Sequence, residues 1–257
     1  MAAVTVNYVG NIWILETSVA YRREVARYLD LMRTTQSGRV LCNYINSRST
    51  WMLIIPYNPS VKDPVNAYAY PKSEADGSPQ YYLMLQDYEL PNKTVIKIPS
   101  AAGLGTGRGS AVYVSYHPAT WRQLIKNAHM IPPGAGPAEI LLHEMTHGYR
   151  MMCGLLRAQD AVTGNAAMDD IEEFYAILAA NVYASERGIT SMRANHHAFN
   201  QLRTALSTSA AYYQKYNKEI DTWFREQRAF CLDMARIRTK FNPLREAAVR
   251  LGLIPSQ

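Results

Sequence analysis

The sequence predicts an α+β fold, sheet-rich in its first half and helical in its second, on three observations. Alternating apolar residues and short β-branched runs crowd the segment before Ala138. From Ala138 onward the apolar spacing becomes three and four, with few strand signals. The chain has 257 residues and 48% hydrophobic content, enough for one large core. Residues 1–257 are therefore expected to form one domain. It divides into a sheet-rich part over 1–137, helices carrying the chemistry over 138–198, and a basic helical extension over 199–257 packed on them.

Each element has a local reason. Val4, Val6 and Tyr8 alternate with polar residues, Gly10 and Asn11 can turn, and Ile12–Leu15 follows, which predicts a hairpin. Ser18 is placed to cap a helix running to about Thr34. Val19, Val25, Tyr28, Leu29 and Met32 fall at helical spacing, and Gly38 is placed to stop it. Trp51–Ile55 reads as a short apolar strand. Pro56, Pro59, Pro64, Pro71 and Pro79 then mark a long loop. Tyr81–Leu85, Thr94–Ile98 and Ala111–Tyr116 are the remaining strands. Helices are expected over 138–157, 168–187 and roughly 199–217. A fourth carries Ile220, Trp223, Phe224, Phe230, Cys231, Met234, Ile237 and Phe241 and ends before Pro243.

Composition excludes several classes. No apolar run reaches the ~18 residues of a spanning helix. Met1 to Leu15 shows no basic flank, apolar run and small-residue cleavage site, so no Sec-type signal peptide is read there. Cys42, Cys153 and Cys231 are scattered and form no CxxC pair, which argues against a disulfide framework or a cysteine zinc knot. Residues 186–257 hold 12 Lys and Arg against 6 Asp and Glu, the whole of the formal +6. Such a surface suits nucleic acid, an anionic membrane or an acidic partner, or is simply a set of solvated helix faces. No recognised nucleic-acid module accompanies it.

The strongest chemical signal is His143-Glu144-Met145-Thr146-His147. Residues i and i+4 of a helix lie one above the other, so both imidazoles can bind one metal ion. Glu144 is then placed to take a proton from a metal-activated water. Pro137 and Ala138 open this helix, and Ile140, Leu141 and Leu142 bury its base. A catalytic zinc commonly takes three protein ligands, so a third is sought downstream, in the helix carrying Asp169, Asp170, Glu172 and Glu173. Ala176, Ala179 and Ala180 form a small-residue stripe that favours Glu173, with Glu172 as the alternative. Asp169 and Asp170 also suit an acidic first turn.

A second polar cluster comprises Arg193, Asn195, His196 and His197. His196 is taken as the stabiliser of a tetrahedral oxyanion, with Tyr149, Arg193 and His197 as alternatives. Adjacent histidines point apart, so at most one enters the site. Strand 111–116 is expected to hold an extended peptide by strand addition. Two patterns carry no chemistry. Gly103, Gly105, Gly107 and Gly109 lack the Gly-Lys-Ser/Thr of a phosphate loop and put Arg108 where a dinucleotide loop needs glycine. Cys153 falls on another face of the helix and reads as packing.

HEMTH followed by Glu173-Phe174-Tyr175-Ala176 looks like the glutamate-zincin arrangement. The stretch EEFYAILAANVYASERGITSMRANHH resembles effector zinc metallopeptidases of bacterial secretion systems. These include the C-terminal metallopeptidase domain of type VI VgrG-type spike proteins and, more distantly, the type III NleD-like effectors. The resemblance implies a zincin-like fold and a zinc endopeptidase, with His143, His147 and Glu173 as ligands and Glu144 as base. It also implies a protein or peptide substrate, an immunity protein or secretion-spike or chaperone partner, and delivery into a target cell. The match of MRANHH is looser, and nothing beyond residue 200 carries a motif of the family.

Overall fold

The N-terminal alternation gives β1 (Val4–Val9) and β2 (Ile12–Glu16), paired antiparallel about the Gly10–Asn11 turn. The computed structural model describes residues 4–57, 67–72, 85–89, 95–99, 109–128, 131–157, 162 and 168–256. Among them lie a five-stranded sheet, a two-stranded hairpin and eight α-helices, an α+β fold.

Ser18 caps α1 (Val19–Arg33), its hydroxyl accepting from the Tyr21 N–H at 3.1 Å. Gly38 does not terminate it. Thr35 caps a second helix, α2 (Gln36–Asn46), and Gly38 lies in its first turn. A Cβ at Gly38 would sit 2.0 Å from the Met32 carbonyl oxygen. Glycine is there for close approach between successive helices, a reason that punctuation rules do not distinguish from a stop. The pair forms the crossover to β3 (Met52–Ile55), which runs parallel to β2.

The proline-rich stretch read as loop contains a strand, β4 (Tyr68–Pro71). Among the described residues it is the outermost strand of the sheet and pairs with β7 (Val112–Ser115), so Pro71 forfeits no ladder bond in the interior. β5 (Leu85–Glu89) and β6 (Val95–Pro99) form the separate hairpin. The expected strand over 81–84, most of the proline loop and the glycine-rich 103–108 lie outside the described residues. The sheet order is β1-β2-β3-β7-β4, parallel through β2, β3 and β7 and antiparallel at both ends. β7 is thus covered on both edges and cannot take a peptide by strand addition. β4 is the edge beside the helix that carries the histidines.

A helix absent from the sequence reading, α3 (Pro118–Asn127), follows β7. α4 (Pro137–Met152) is buried from Ala138 through Met152, stopping short of the expected residue 157. α5 (Ile171–Glu186) packs along it, capped by Asp170. The tail departs from its expected segmentation. Residues 199–208 make a bridge to Arg193 and a 3-10 turn (Thr204–Leu206), so α6 (Ser209–Glu226) starts late. Gln227 leaves helical geometry (φ −135°, ψ 52°) and separates α6 from α7 (Arg228–Ala235). Its carboxamide oxygen accepts from Trp223 Nε1 at 2.8 Å and from Arg150 Nη1 at 3.0 Å. Pro243 opens α8 (Pro243–Arg250).

One hydrophobic cluster runs from Ile12 through the β-sheet and α4 to Trp223, Phe230, Met234 and Ala248 of the tail. Trp223 stacks on Tyr175 of α5 with centroids 4.6 Å apart. Among the described residues no helix is long and apolar enough to cross a membrane.

Two outcomes follow. A chain ending at residue 198 strips the cover from α2, α4 and α5 and is expected to lose cooperative thermal unfolding in circular dichroism; a stable, soluble fragment would contradict the packing. Gly38→Ala is expected to cost about 1–3 kcal/mol in denaturant melts, because the new methyl meets backbone rather than a movable side chain.

Candidate metal centre

α4 supplies two imidazoles one turn apart. His143 and His147 are buried, with Nε2 atoms 3.1 Å apart. Glu173, in the first turn of α5, completes a triangle: Oε2 lies 3.2 Å from His143 Nε2, and Oε1 lies 3.3 Å from His147 Nε2. Zinc ligands at about 2.0–2.1 Å in tetrahedral array stand about 3.3 Å from one another, so the spacing fits such an ion. The carboxylate fits it too. Oε2 of Glu173 is buried and meets no hydrogen-bond partner among the described residues, a costly state that a cation between the three groups relieves.

The electrostatics point the same way. Burial would raise the Glu173 pKa, but the facing His147 and His143 rings pull it well below the usual carboxylate range. Burial opposes charge on both imidazoles. At His143 it prevails and the pKa falls to about 3; at His147 the Glu173 and Glu144 carboxylates prevail and it rises to about 9. Glu144, buried, stands 4.0 Å from His143 Nε2 and accepts from the backbone N–H of Ala69 on β4. Burial raises its pKa to about 7.

The two glutamates are set apart by Arg150, which the sequence reading passed over. Its guanidinium, wholly buried one turn beyond His147, binds Glu172 through Nε (2.7 Å) and Nη2 (2.8 Å). It also meets Glu226 of α6 at 3.0 Å. Glu172 accepts from the Arg157 backbone N–H at 2.8 Å as well, so its carboxylate is committed on the side of α5 away from the histidines. The available signal was an arginine inside an apolar helix, which has to find a carboxylate.

The second cluster is partly in the site. His196 Nε2 lies 3.4 Å from Glu173 Oε2, and its ring is nearly parallel to that of His143. Its Nδ1 faces Asp169 Oδ2 at 2.5 Å. Burial lowers the His196 pKa, while Glu173 and Asp169 draw it back up. His197 is turned outward, 79% exposed along its side chain, and reaches Asp169 at 2.9 Å. Arg193 is buried and serves the loop, donating from Nε to the Asn195 carbonyl at 2.8 Å and from Nη2 to that of His196. Asn181 of α5 holds Arg193 by its own backbone N–H and carbonyl. Tyr149 is excluded from the site. Its ring packs on Tyr44 and Phe230, on another face of α4. Asp170 caps α5 by accepting from the Glu173 N–H at 2.9 Å. Sequence reasoning missed Asp169 as partner of His196, Asn181 as anchor of Arg193, and Ala69.

No protein-family model, curated protein or solved structure matches this chain.

Glu172→Ala leaves the buried Arg150 charge with Glu226 as its one carboxylate among the described residues, beside the neutral Gln227 and Leu155 oxygens. It is expected to cost about 3–5 kcal/mol in denaturant melts, and a Glu172→Leu, Arg150→Met double variant is expected to recover most of that loss. If Glu172→Ala melts like wild type, the pair does not hold the two helices.

Proposed function

We propose that the chain is a zinc-dependent endopeptidase with a zincin-like site, acting as a bacterial effector delivered into a target cell. The observation that carries the chemistry is the convergence of His143 Nε2, His147 Nε2 and the Glu173 carboxylate, with Glu144 beside them and outside that triangle. A zinc ion held by those three residues supplies a Lewis acid that activates water and polarises a carbonyl. Glu144 accepts the proton of that water and hands it to the leaving amine. His196, held through Nδ1 by Asp169, turns Nε2 toward the site, and in its protonated form would donate from there to the developing oxyanion.

The substrate runs extended along the outer edge of β4. The Lys72 N–H donates inward to Ala111, so the alternation of the ladder turns the Ala69 N–H and carbonyl outward, and that N–H already reaches Glu144. The effector assignment is supported by the resemblance of residues 172–197 noted above. It carries with it an immunity protein or a secretion-spike or chaperone partner.

One observation favours a second reading. With Asp169 accepting from Nδ1–H, neutral His196 turns a lone pair, not a proton, toward Glu173. As a fourth ligand it would close the metal and make the chain a non-catalytic zinc adaptor.

Zinc-loaded wild type is expected to carry one tightly held zinc and to cleave members of a broad peptide library, read by mass spectrometry. Glu144→Gln is expected to keep the zinc and lose cleavage by more than about 10²-fold. Glu173→Ala is expected to lose the zinc. His196→Ala separates the readings: the peptidase keeps its zinc and slows by about 10²–10³-fold, whereas the adaptor loses zinc affinity and shows no cleavage in wild type. Equal turnover by Glu144→Gln and wild type would overturn the mechanism.

A further inference from the structure

We propose that Asp169, His196 and His197 form a second, weaker site for a zinc-class divalent cation, which shares the His196 ring with the first. Asp169 Oδ2 lies 2.5 Å from His196 Nδ1 and 2.9 Å from His197 Nε2, hydrogen-bond spacings that a shared cation opens toward the ~3.3 Å between zinc ligands, and the three candidate ligand atoms fall within 4.8 Å of one another. Two imidazole nitrogens and one carboxylate oxygen are a donor set suited to zinc, with water completing the shell on the exposed side.

The convergence is built into the backbone. In an extended chain consecutive side chains point to opposite faces, yet the His196 and His197 rings stand 4.2 Å apart and meet one oxygen. The loop is folded to allow it. Buried Arg193 gathers the carbonyls of Asn195 and His196, Asn195 Oδ1 accepts from the Asn200 N–H at 2.8 Å, and the Ala194 N–H returns to the Asn200 carbonyl at 2.8 Å. Asp169 is itself left-handed, with φ +58°. Non-glycine residues keep that conformation where their surroundings over-determine it, and such positions cluster at ligand sites. Here it falls directly before the α5 N-cap.

The shared ring couples the sites. When Nδ1 of His196 gives its lone pair to a cation, the proton of the neutral ring resides on Nε2, which faces Glu173. When Asp169 accepts from Nδ1–H instead, Nε2 carries the lone pair. A cation at the second site thus turns His196 from a candidate ligand of the first site into a donor toward it. Exposure of His197 and Asp169 makes this the weaker site.

The test is titration of Zn2+ into the metal-stripped full chain by calorimetry, with elemental analysis after dialysis. Wild type is expected to show two classes of site, one kept through dialysis and one lost. His197→Ala, at an exposed side chain that folding does not need, and Asp169→Asn are expected to keep the tight class and weaken the other more than tenfold. His147→Ala is expected to retain the weaker class alone. A single class in wild type, or a second class unchanged in both His197→Ala and Asp169→Asn, overturns the proposal. Loss of the tight class in wild type while the weaker one persists and responds to His197→Ala would overturn the metallopeptidase reading and leave this one standing.

Discussion

The buried pairing of Arg150 with Glu172 is the constraint on which the rest of this structure depends. It joins α4 to α5 by two hydrogen bonds at 2.7 and 2.8 Å, deep enough that water cannot compete for either charge. Glu173 is the next residue along α5, so fixing Glu172 against Arg150 also fixes the face on which Glu173 emerges. Adjacent residues on a helix diverge by about 100°, and that divergence separates a structural carboxylate from one facing two histidines. The tail enters the same node, because Glu226 and Gln227 both accept from Arg150. The guanidinium thus ties the two histidine- and glutamate-bearing helices to α6, and the acid of an otherwise basic extension is spent inward.

Around the metal centre the same logic runs with fewer partners. Arg150 has enough acceptors for its fork, whereas Glu173 Oε2 has none in hydrogen-bonding geometry among the described residues. Two buried clusters of charge stand back to back on α4 and α5, one internally satisfied and the other not. The unsatisfied one is where a ligand has free energy to contribute. Burial that would merely destabilise an ordinary carboxyl raises Glu144 to about 7, where a proton can be taken up and returned.

Where the sequence could be read, a short-range rule had no competitor. The β1–β2 alternation, the Ser18 cap and the i, i+4 histidines each depend on residues within one or two turns, and each stands where the pattern put it. The failures have long-range causes. Gly38 has the local form of a helix stop, but the carbonyl it must approach decides its role. Pro71 looks like loop until the sheet order makes its strand outermost. Gln227 leaves helical geometry within an apolar period that runs on, and its side chain meets Arg150, 77 residues away, a partner no local rule supplies. At the site the ligand-bearing helices were legible, while the partners that orient them were not. Arg150 and Glu172 lie 22 residues apart, Asp169 and His196 27, and nothing local links either pair.

That last pair also locates where the chemistry is decided. Four of the five groups at the site have one placement each, since His143, His147 and Glu173 reach one point and Glu144 stands beside it. His196 alone has two roles available, and a single proton separates them. A lone pair on Nε2 closes the coordination shell, and an N–H there assists a reaction. Asp169 governs the choice from the other side of the ring, because whatever occupies Nδ1 dictates what Nε2 presents. The loop that sets this geometry is itself pinned by Arg193 and Asn181, whose contacts run back to the middle of α5. The helix that presents Glu173 to the two histidines therefore also anchors the loop that carries His196.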